Sequence, residues 1–339
     1  AEFCLLLVSY LLEFLWLIMS YLANLPFAQW NQFSPITWTL VPGVVGVMLL
    51  LAPKGFPARF LAIFFLLPLF LVKPEKPEED QFNFTLLDVG QGLSAVVQTQ
   101  NHLLVFDTGP RFSSGFDTGD AVVLPFLRSI AVDKIDVIII SHGDNDHIGG
   151  LQSLLKNVPV EEILTSVPEL ISNHKSEACL ANRRWEWDGV LFEIINPQSL
   201  EAYGRSRKSG NNRSCVLRVS SGDNAVLLTG DIEKPAEKNL LKNNAEILAS
   251  TILVAPHHGS NTSSTSAFIQ QISPDYVFYP SGYRNRFGFP KQKVRDRYRQ
   301  YGIKEAVTSN TGAINILMDR KSIEGPFFFR ETVRRFWHQ

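Results

Sequence analysis

The sequence is poor in several features that would assign a protein to a class by themselves. It has only three cysteines in 339 residues, and it contains no apparent internal repeat or low-complexity segment. Its net charge of −1 indicates no particular partner, because 32 basic residues are balanced by 33 acidic ones. Cys4 lies in an apolar run, whereas Cys179 and Cys215 could form a disulfide in an extracytoplasmic domain or remain buried thiols.

Charge is almost missing from the N-terminal region. Residues 3–23 contain one charged side chain, Glu13, and a run of this length can cross a bilayer. The runs 38–52 and 60–72 carry no charge but are shorter, so each could be a tilted or kinked span or half of a membrane hairpin. A cleaved signal peptide fits poorly, because three apolar runs follow one another and the chain does not begin with Met. We predict that residues 1–72 are transmembrane segments at the end of a larger membrane domain.

The few basic residues near these runs predict an orientation. Lys54 and Arg59 lie between the second and third runs, whereas residues 24–37 contain no Lys or Arg. The positive-inside rule therefore places the loop with Lys54 and Arg59 in the cytoplasm and the chain after Val72 on the opposite side. Trp30 would suit the outer interface or a packed helix bundle.

A polar linker with two prolines, residues 73–80, precedes a predicted soluble domain at 81–339. In this domain, apolar strands alternate with loops that are rich in Asp, His, Gly or Asn. Helices are predicted near 122–130, 148–155, 234–241, 265–272 and 291–301. Strands with helices between and outside them favour a two-sheet α/β sandwich.

The most specific stretch is 141–150, Ser-His-Gly-Asp-Asn-Asp-His-Ile-Gly-Gly, directly after an apolar strand at 135–140. His142, Asp144, Asp146 and His147 place four metal-binding groups within six positions. Open α/β sheets usually hold their ligands at the carboxyl ends of core strands. A polar turn that only caps a helix would rarely be so dense in ligands, so the stretch predicts a metal site.

Two further loops can complete this site. Asp231 follows a strand at 225–228, and its two carboxylate oxygens could bridge two cations about 3.5–4 Å apart. His257 and His258 follow a strand at 252–254, and one of them would join the set. Mixed imidazole and carboxylate ligands suit Zn²⁺, while the additional carboxylates favour harder ions such as Mn²⁺.

Taken together, these motifs resemble a known family. Asp107-Thr-Gly109, the His-x-Asp-x-Asp-His motif, Thr229-Gly-Asp231 and the His257-His258 loop are similar to the metallo-β-lactamase superfamily. The segments 88–92, 141–150, 211–214, 257–260 and 284–288 more closely resemble the C-terminal domain of ComEC proteins. These are bacterial inner-membrane competence proteins through which transforming DNA enters as a single strand.

The resemblance implies a metallo-β-lactamase-like αββα sandwich preceded by transmembrane helices. It implies a metal-dependent hydrolase, a deoxyribonuclease that degrades the non-transported strand during natural transformation. The implied partners are double-stranded DNA delivered for uptake, the transported single strand, membrane lipid, the rest of the channel and other competence proteins. The implied location is a multi-pass position in the bacterial inner membrane, with the soluble domain on the periplasmic side.

The resemblance also assigns roles to individual residues. It implies two divalent ions, Mn²⁺ or Zn²⁺, bound by His142, Asp144, Asp146, His147, Asp231 and His257, with Asp146 and Asp231 catalytic. Candidates for supporting or phosphate contacts are Asp107, Asn211, Asn212, Ser214, His258 and Ser260. Asp144 and the Asn211–Ser214 loop stand where the superfamily usually has His, and Phe289 stands where family members often have another His.

Positive charge for DNA is concentrated near the C-terminus. Residues 280–339 contain thirteen Lys or Arg and five Asp or Glu, a net charge of +8. The candidate DNA-binding residues are Arg213, Arg284, Arg286 and Lys291, with a second basic cluster at Arg205, Arg207, Lys208, Arg213 and Arg218. Tyr283, Phe287 and Phe289 could stack on bases or pack in the core.

Two alternative functions remain open. The domain could be a non-catalytic module that binds DNA and gates the channel, since the departures at 211–214 and 289 remove expected histidines. It could also hydrolyse another ester, although the basic C-terminal region argues against a small neutral substrate.

Overall fold

The computed structural model describes residues 2–25, 28, 32–113, 115–172, 174–203 and 210–333. Trp30, Arg205, Arg207 and Lys208 lie outside the described residues. The chain divides into two compact units, of which one comprises 1–74 with 128–131 and the other 75–127 with 132–339.

The first unit is helical. It contains α1 (Glu2–Ala23), α2 (Leu40–Leu51) and α3 (Ala62–Leu71). With a mean hydropathy of 2.1, α1 is long and apolar enough to cross a membrane, whereas the apolar segments Thr37–Leu51 and Arg59–Leu71 are shorter. Length and composition are weak support for a span, so the multi-pass arrangement stays a prediction.

Helices α2 and α3 pack closely because glycine lines their contact. A Cβ atom at Gly43 would lie 2.6 Å from Leu69 Cδ1, and one at Gly46 would lie 2.8 Å from Leu66 Cγ. Small residues allow such close helix approach where lipid gives no hydrophobic driving force between helices. The two helices therefore form a closely packed hairpin.

The second unit contains two large sheets and several helices. The strands of the first sheet are β1 (Phe82–Leu86), β2 (Ala95–Gln98), β3 (Leu103–Phe106), β6 (Ile135–Ile140), β7 (Val160–Thr165), β8 (Glu177–Ala178), β16 (Ile314–Met318) and β17 (Ile323–Phe328), in the order β17-β16-β1-β2-β3-β6-β7-β8. The strands of the second sheet are β9 (Arg184–Trp187), β10 (Val190–Asn196), β11 (Val216–Ser221), β12 (Asn224–Leu228), β13 (Ile252–Val254), β14 (Tyr276–Tyr279) and β15 (Lys304–Val307), in the order β15-β14-β13-β12-β11-β10-β9. A hairpin of β4 (Arg111–Ser113) and β5 (Phe116–Asp117) stands apart.

The helices of this unit are short. They are α4 (Leu124–Ser129), whose last two residues are grouped with the first unit, α5 (Asn145–Ile148), α6 (Leu151–Asn157), α7 (Lys234–Asn243), α8 (Ser266–Ile272), α9 (Gln292–Gln300), α10 (Thr308–Thr311) and α11 (Phe329–Thr332). The five predicted helices and the two-sheet arrangement are thus confirmed, with boundaries shifted by a few residues.

The core lies between the two sheets. Phe84 and Phe106 from the first sheet and Phe192 and Phe278 from the second are fully buried in one apolar cluster. Alternate residues of the second sheet form another cluster with α7, α8 and α9, which bury Leu240, Phe268 and Tyr298. Parallel strands buried on both faces read as continuous apolar runs, which explains sequences such as 135–140.

A disulfide adds a covalent connection to this core. Cys179 follows β8 of the first sheet, and Cys215 precedes β11 of the second. Both residues are buried, and their Cα atoms lie 6.0 Å apart. The structure therefore favours pairing over separate buried thiols, and the bond joins the two layers of the sandwich.

Strand direction brings the predicted loops together. In the first sheet β3 runs parallel to β6, so Asp107 and the loop after Ile140 leave the sheet at the same edge. In the second sheet β12, β13 and β14 are parallel neighbours, so Asp231, the His257 loop and the segment after Tyr279 also share one edge.

Candidate metal centre

Asp107 organises the first-sheet half of the site. It is fully buried and has a positive φ of 58°, which a short polar side chain tolerates better than most. One carboxylate oxygen accepts the backbone N–H of Ser141 at 2.7 Å, and the other accepts the Ser141 hydroxyl at 2.7 Å. The second oxygen also lies 2.7 Å from His147 Nδ1. This contact makes Nδ1 the protonated nitrogen and turns Nε2 toward the second sheet.

His147 Nε2 faces several ligand atoms at once. It lies 3.2 Å from Asp231 Oδ1, 3.3 Å from His258 Nε2 and 4.0 Å from Asp146 Oδ2. Burial alone would lower the pKa of His147, but the negative charges of Asp231 and Asp107 outweigh burial and raise that pKa well above its usual value. Without a bound cation, the imidazolium form of His147, with a proton on both ring nitrogens, is therefore favoured.

The Asp231 carboxylate lies between two pairs of histidines. Its Oδ1 is 3.2 Å from His147 Nε2 and 3.4 Å from His258 Nε2. Its Oδ2 is 3.9 Å from His142 Nε2 and 3.6 Å from His257 Nε2. Burial would raise the pKa of Asp231, but the charges of His258 and His147 hold it well below its usual value.

The glycine before Asp231, Gly230, allows the tight backbone turn that places the Asp231 side chain between the histidines. It has a φ of 52°, and a Cβ atom there would lie 2.9 Å from the Cβ atoms of Ser141 and Ser214. The Ser214 hydroxyl accepts the Asp231 backbone N–H at 3.1 Å. The two sheets thus approach one another closely at the residue that places Asp231.

The two consecutive histidines are presented by an unusual backbone. His257 and His258 have φ values of 50° and 54°, and left-handed pairs of non-glycine residues are costly enough to mark functional loops. His258 Nδ1 lies 2.9 Å from the Pro280 carbonyl oxygen, which directs Nε2 into the site. His257 Nδ1 lies 3.1 Å from Thr262 Oγ1, and this ring is more exposed.

The two acids of the motif differ in depth. Asp146 Oδ2 lies 3.4 Å from His258 Nε2. Burial would raise the pKa of Asp146, but the charges of His147 and His258 lower it to about 2. Asp144 Oδ2 lies 3.6 Å from His142 Nε2, and the Asp144 side chain is 61% exposed. Asp144 therefore stands at the rim, whereas Asp146 reaches inward.

The residues fit a metal centre. His142, His147 and Asp231 offer ligand atoms within 4.8 Å of one another, as do Asp146, His147 and His258. Ligands about 2.1 Å from a tetrahedral ion lie about 3.4 Å apart, close to the distances between these side chains. Within the described part of the chain, the buried His142 Nε2 atom has no hydrogen-bond partner. Buried polar atoms without partners are expected where a cation supplies the missing contact. We call His142, Asp146, His147, Asp231, His257 and His258 the histidine–aspartate cluster.

The remaining predicted supporting residues have local contacts. Asn212 Oδ1 accepts the N–H groups of Glu233 and Ala236 at 3.1 and 3.2 Å and so braces the start of α7. The Ser260 hydroxyl lies 3.0 Å from Thr262 Oγ1 within its own turn. Asn211 is half-buried in the same 3₁₀ turn as Asn212. A phosphate contact for these residues remains a prediction.

The predicted basic residues separate into two places. Arg213 donates to the Leu200 carbonyl at 3.2 Å. Arg284, Arg286 and Lys291 lie in the segment that follows β14, where Phe289 approaches His258 with ring centroids 6.5 Å apart. The structure therefore brings the segment that carries Arg284, Arg286 and Lys291 beside the loop of His257 and His258.

His258 lies deeper in the site than His257. The sequence predicts His257 as a metal ligand and His258 as a supporting residue, yet His258 is 2% exposed and has the closer contacts to Asp146, His147 and Asp231. No spacing rule separates two adjacent histidines, because the left-handed backbone determines which ring points inward.

Comparison with known proteins places this geometry in context. A profile of the metallo-β-lactamase superfamily matches residues 87–282. The chain is 36% identical over 300 residues to competence protein ComA of Neisseria gonorrhoeae, covering 88% of this chain and 41% of that protein. It is 32% identical over 240 residues to recombination protein 2 of Haemophilus influenzae, covering 70% and 29%. It is 26% identical over 153 residues to ribonuclease J of Mycobacterium tuberculosis, covering 43% and 26%. The chain spans less than half the length of each of these relatives, and the first confirms the predicted resemblance to competence proteins.

Proposed function

This chain belongs to the metallo-β-lactamase superfamily, and on that premise we propose that it is the C-terminal part of a membrane protein for DNA uptake. Its second unit hydrolyses phosphodiester bonds and degrades the strand that is not transported. The similarity to a competence protein over 88% of the chain supports the biological setting. The name of ribonuclease J, a more distant relative, supports nucleic acid as the substrate class.

The arrangement around Asp231 is the observation that carries the proposal. Its two oxygens face separate histidine pairs at 3.2–3.9 Å. Together with these four histidines, Asp231 would hold divalent cations, which would stabilise charge on the attacking and leaving oxygens in phosphodiester hydrolysis. The ligand set contains both imidazole and carboxylate groups, so Zn²⁺ and Mn²⁺ are both suitable.

The chain's own residues position the reactants. When bound, divalent cations would lower the pKa of water and offset the charge on phosphate oxygens. Asp146, a carboxylate at the inner side of the motif, would orient the attacking water. Asp107 keeps one proton of His147 on Nδ1, so Nε2 is the nitrogen that would bind a cation after losing its own proton.

The direct test is cleavage of DNA by the full chain in detergent. We expect fluorescently labelled DNA to be cleaved with Mn²⁺ or Zn²⁺ and to remain intact with a chelator. Lys291, Arg286 and Arg284 should support binding to DNA whether or not metal is present. A folded, metal-loaded protein that cleaves no DNA would contradict the nuclease proposal.

The same preparation separates the alternatives. A non-catalytic gating module would bind DNA but carry no metal, and its DNA affinity would not change in an Asp146→Ala variant. A hydrolase of another ester would carry metal and would cleave a phosphorylcholine ester or a lactone in a substrate panel. Metal analysis combined with that panel therefore assigns one function.

We propose that the second unit lies on the extracytoplasmic side, where lipid, the rest of the channel and other competence proteins surround it. The Cys179–Cys215 disulfide supports this side, because disulfides persist in oxidising compartments. Alkylation of intact cells followed by mass spectrometry should find these two cysteines protected and linked, while Cys4 provides the unpaired reference. Free, alkylated Cys179 and Cys215 would place the unit in the cytoplasm.

A further inference from the structure

A column of aromatic rings runs outward from the histidine–aspartate cluster. His258 is 2% exposed, and the Phe289 ring lies at an interplanar angle of 19° to it. Phe287 stacks on Phe289 with centroids 5.4 Å apart and an angle of 16°, and Phe287 is 41% exposed. Tyr283, in the same segment, is 72% exposed. We call Tyr283, Phe287 and Phe289 the aromatic strip.

Positive charge accompanies each ring of the aromatic strip. The Arg286 guanidinium lies 4.7 Å from the Phe287 centroid, and Lys291 Nζ lies 5.5 Å from the Phe289 centroid. The Arg284 guanidinium lies 5.1 Å from the Tyr283 centroid. Aromatic faces combined with cations are the chemistry that binds bases and phosphates of an unpaired strand.

The aromatic strip is held in place before any ligand binds. Asn285 donates to the carbonyl oxygens of Gly282 and Phe289 at 3.0 and 2.7 Å, and it accepts the Phe289 N–H at 2.9 Å. The Lys291 N–H donates to the Gly259 carbonyl at 2.9 Å, which ties the segment to the histidine loop. A site organised in this way loses little entropy when a ligand stacks on it.

Exposure of these rings needs an explanation. Core packing accounts for the buried part of Phe287, but Tyr283 keeps most of its ring in solvent. Their place beside the histidine–aspartate cluster, together with three cations, matches the path of a polyanion that enters the site. Base pairs inside a duplex are covered on both faces by their neighbours, so they cannot stack on these rings, whereas unpaired bases can.

We propose that the aromatic strip binds unpaired bases next to the histidine–aspartate cluster, so that the site takes single-stranded or locally unpaired DNA in preference to intact duplex. This inference rests on the proposed nuclease function and specifies its substrate. The bases stack on the rings of Tyr283 and Phe287, while Arg286 and Lys291 contact the adjoining phosphates.

The test measures binding without cleavage. The full chain in detergent, with a chelator and no divalent metal, is titrated into fluorescein-labelled oligothymidine or a duplex of the same length, and anisotropy is recorded. Replacing one ring, as in Phe287→Ala or Tyr283→Ala, should weaken single-strand binding about tenfold and change duplex binding by less than about twofold. Phe287→Trp should restore single-strand binding because it keeps a stacking face.

The matched control is Tyr301→Ala, since Tyr301 is 39% exposed and lies at the end of α9, outside the aromatic strip. It should leave both affinities unchanged. Wild-type protein that prefers duplex, or ring variants that bind the single strand normally, would overturn the inference and leave the nuclease proposal standing. Wild-type protein that binds neither DNA and cleaves none with Mn²⁺ or Zn²⁺ would overturn both.

Discussion

The two sheets hold their parts of the histidine–aspartate cluster by different means. In the first-sheet half, one buried side chain, Asp107, accepts hydrogen bonds from Ser141 and contacts His147. In the second-sheet half, the backbone orients the rings, because His257 and His258 have left-handed conformations and the Pro280 carbonyl oxygen contacts the His258 ring.

The two halves should therefore respond differently to substitution. The first half depends on the Asp107 carboxylate, so a single substitution there should weaken metal binding by that whole half. The second half depends on loop conformation, so its two rings should be separable by substitution. Asp231 lies between the halves, and its loss should affect both.

The largest effect is expected at Asp231. Asp231→Asn removes the charge that both histidine pairs share, so bound metal should be lost and DNA cleavage should fall about a thousandfold or more. Metal content by mass spectrometry and initial cleavage rates measure this effect. Asp136→Asn is the control, because Asp136 is a buried carboxylate that accepts the Leu103 N–H instead. Full metal content in Asp231→Asn would show that metal binding by the two halves does not depend on the Asp231 charge.

The next effect concerns the first half alone. Asp107→Asn keeps the size of the side chain but weakens the contact that orients His147, so metal affinity should fall about 10- to 100-fold. Competition with a chromophoric chelator measures the affinity. An unchanged affinity would mean that Ser141 and packing orient His147 without Asp107.

A paired substitution sharpens the contrast within the second half. His258→Gln should weaken metal binding about tenfold more than His257→Gln, a difference of about 1.4 kcal/mol. The reason is that His258 is buried with three ligand atoms within 3.4 Å, whereas His257 Nε2 lies 3.6 Å from Asp231. Equal losses, or a larger loss for His257→Gln, would restore the ranking predicted from the sequence.

The smallest expected effect is that metal binding releases a proton, so that metal affinity depends on pH. The raised pKa of His147 favours the imidazolium form in the cation-free site, with a proton on Nε2 as well as on Nδ1, and Nε2 must lose its proton to bind metal. Metal binding should therefore release a proton, and affinity should rise with pH, by up to about tenfold per unit for one proton, until the pH passes that pKa. Calorimetry in two buffers with different ionisation enthalpies detects the release. A binding enthalpy that is the same in both buffers would contradict it.

Much of the fold was predictable from local pattern. The strands at 103–106 and 252–254 match β3 and β13, and the helices near 234–241 and 265–272 match α7 and α8, because burial on one or both faces imposes a regular spacing on apolar residues. The sequence left open whether Cys179 and Cys215 form a disulfide, since that depends on which ends of β8 and β11 meet across the sandwich.

The sequence by itself determined that a dense His-Asp motif follows a buried strand and that Asp231 and two histidines follow others, since residue type and strand pattern are local properties. Only the tertiary structure decided that Asp231 faces both histidine pairs, that His258 points inward, and that the Phe287 and Phe289 rings line up with it. Those outcomes depend on backbone conformation and on the meeting of two sheets, and both arise from packing between residues far apart in the chain.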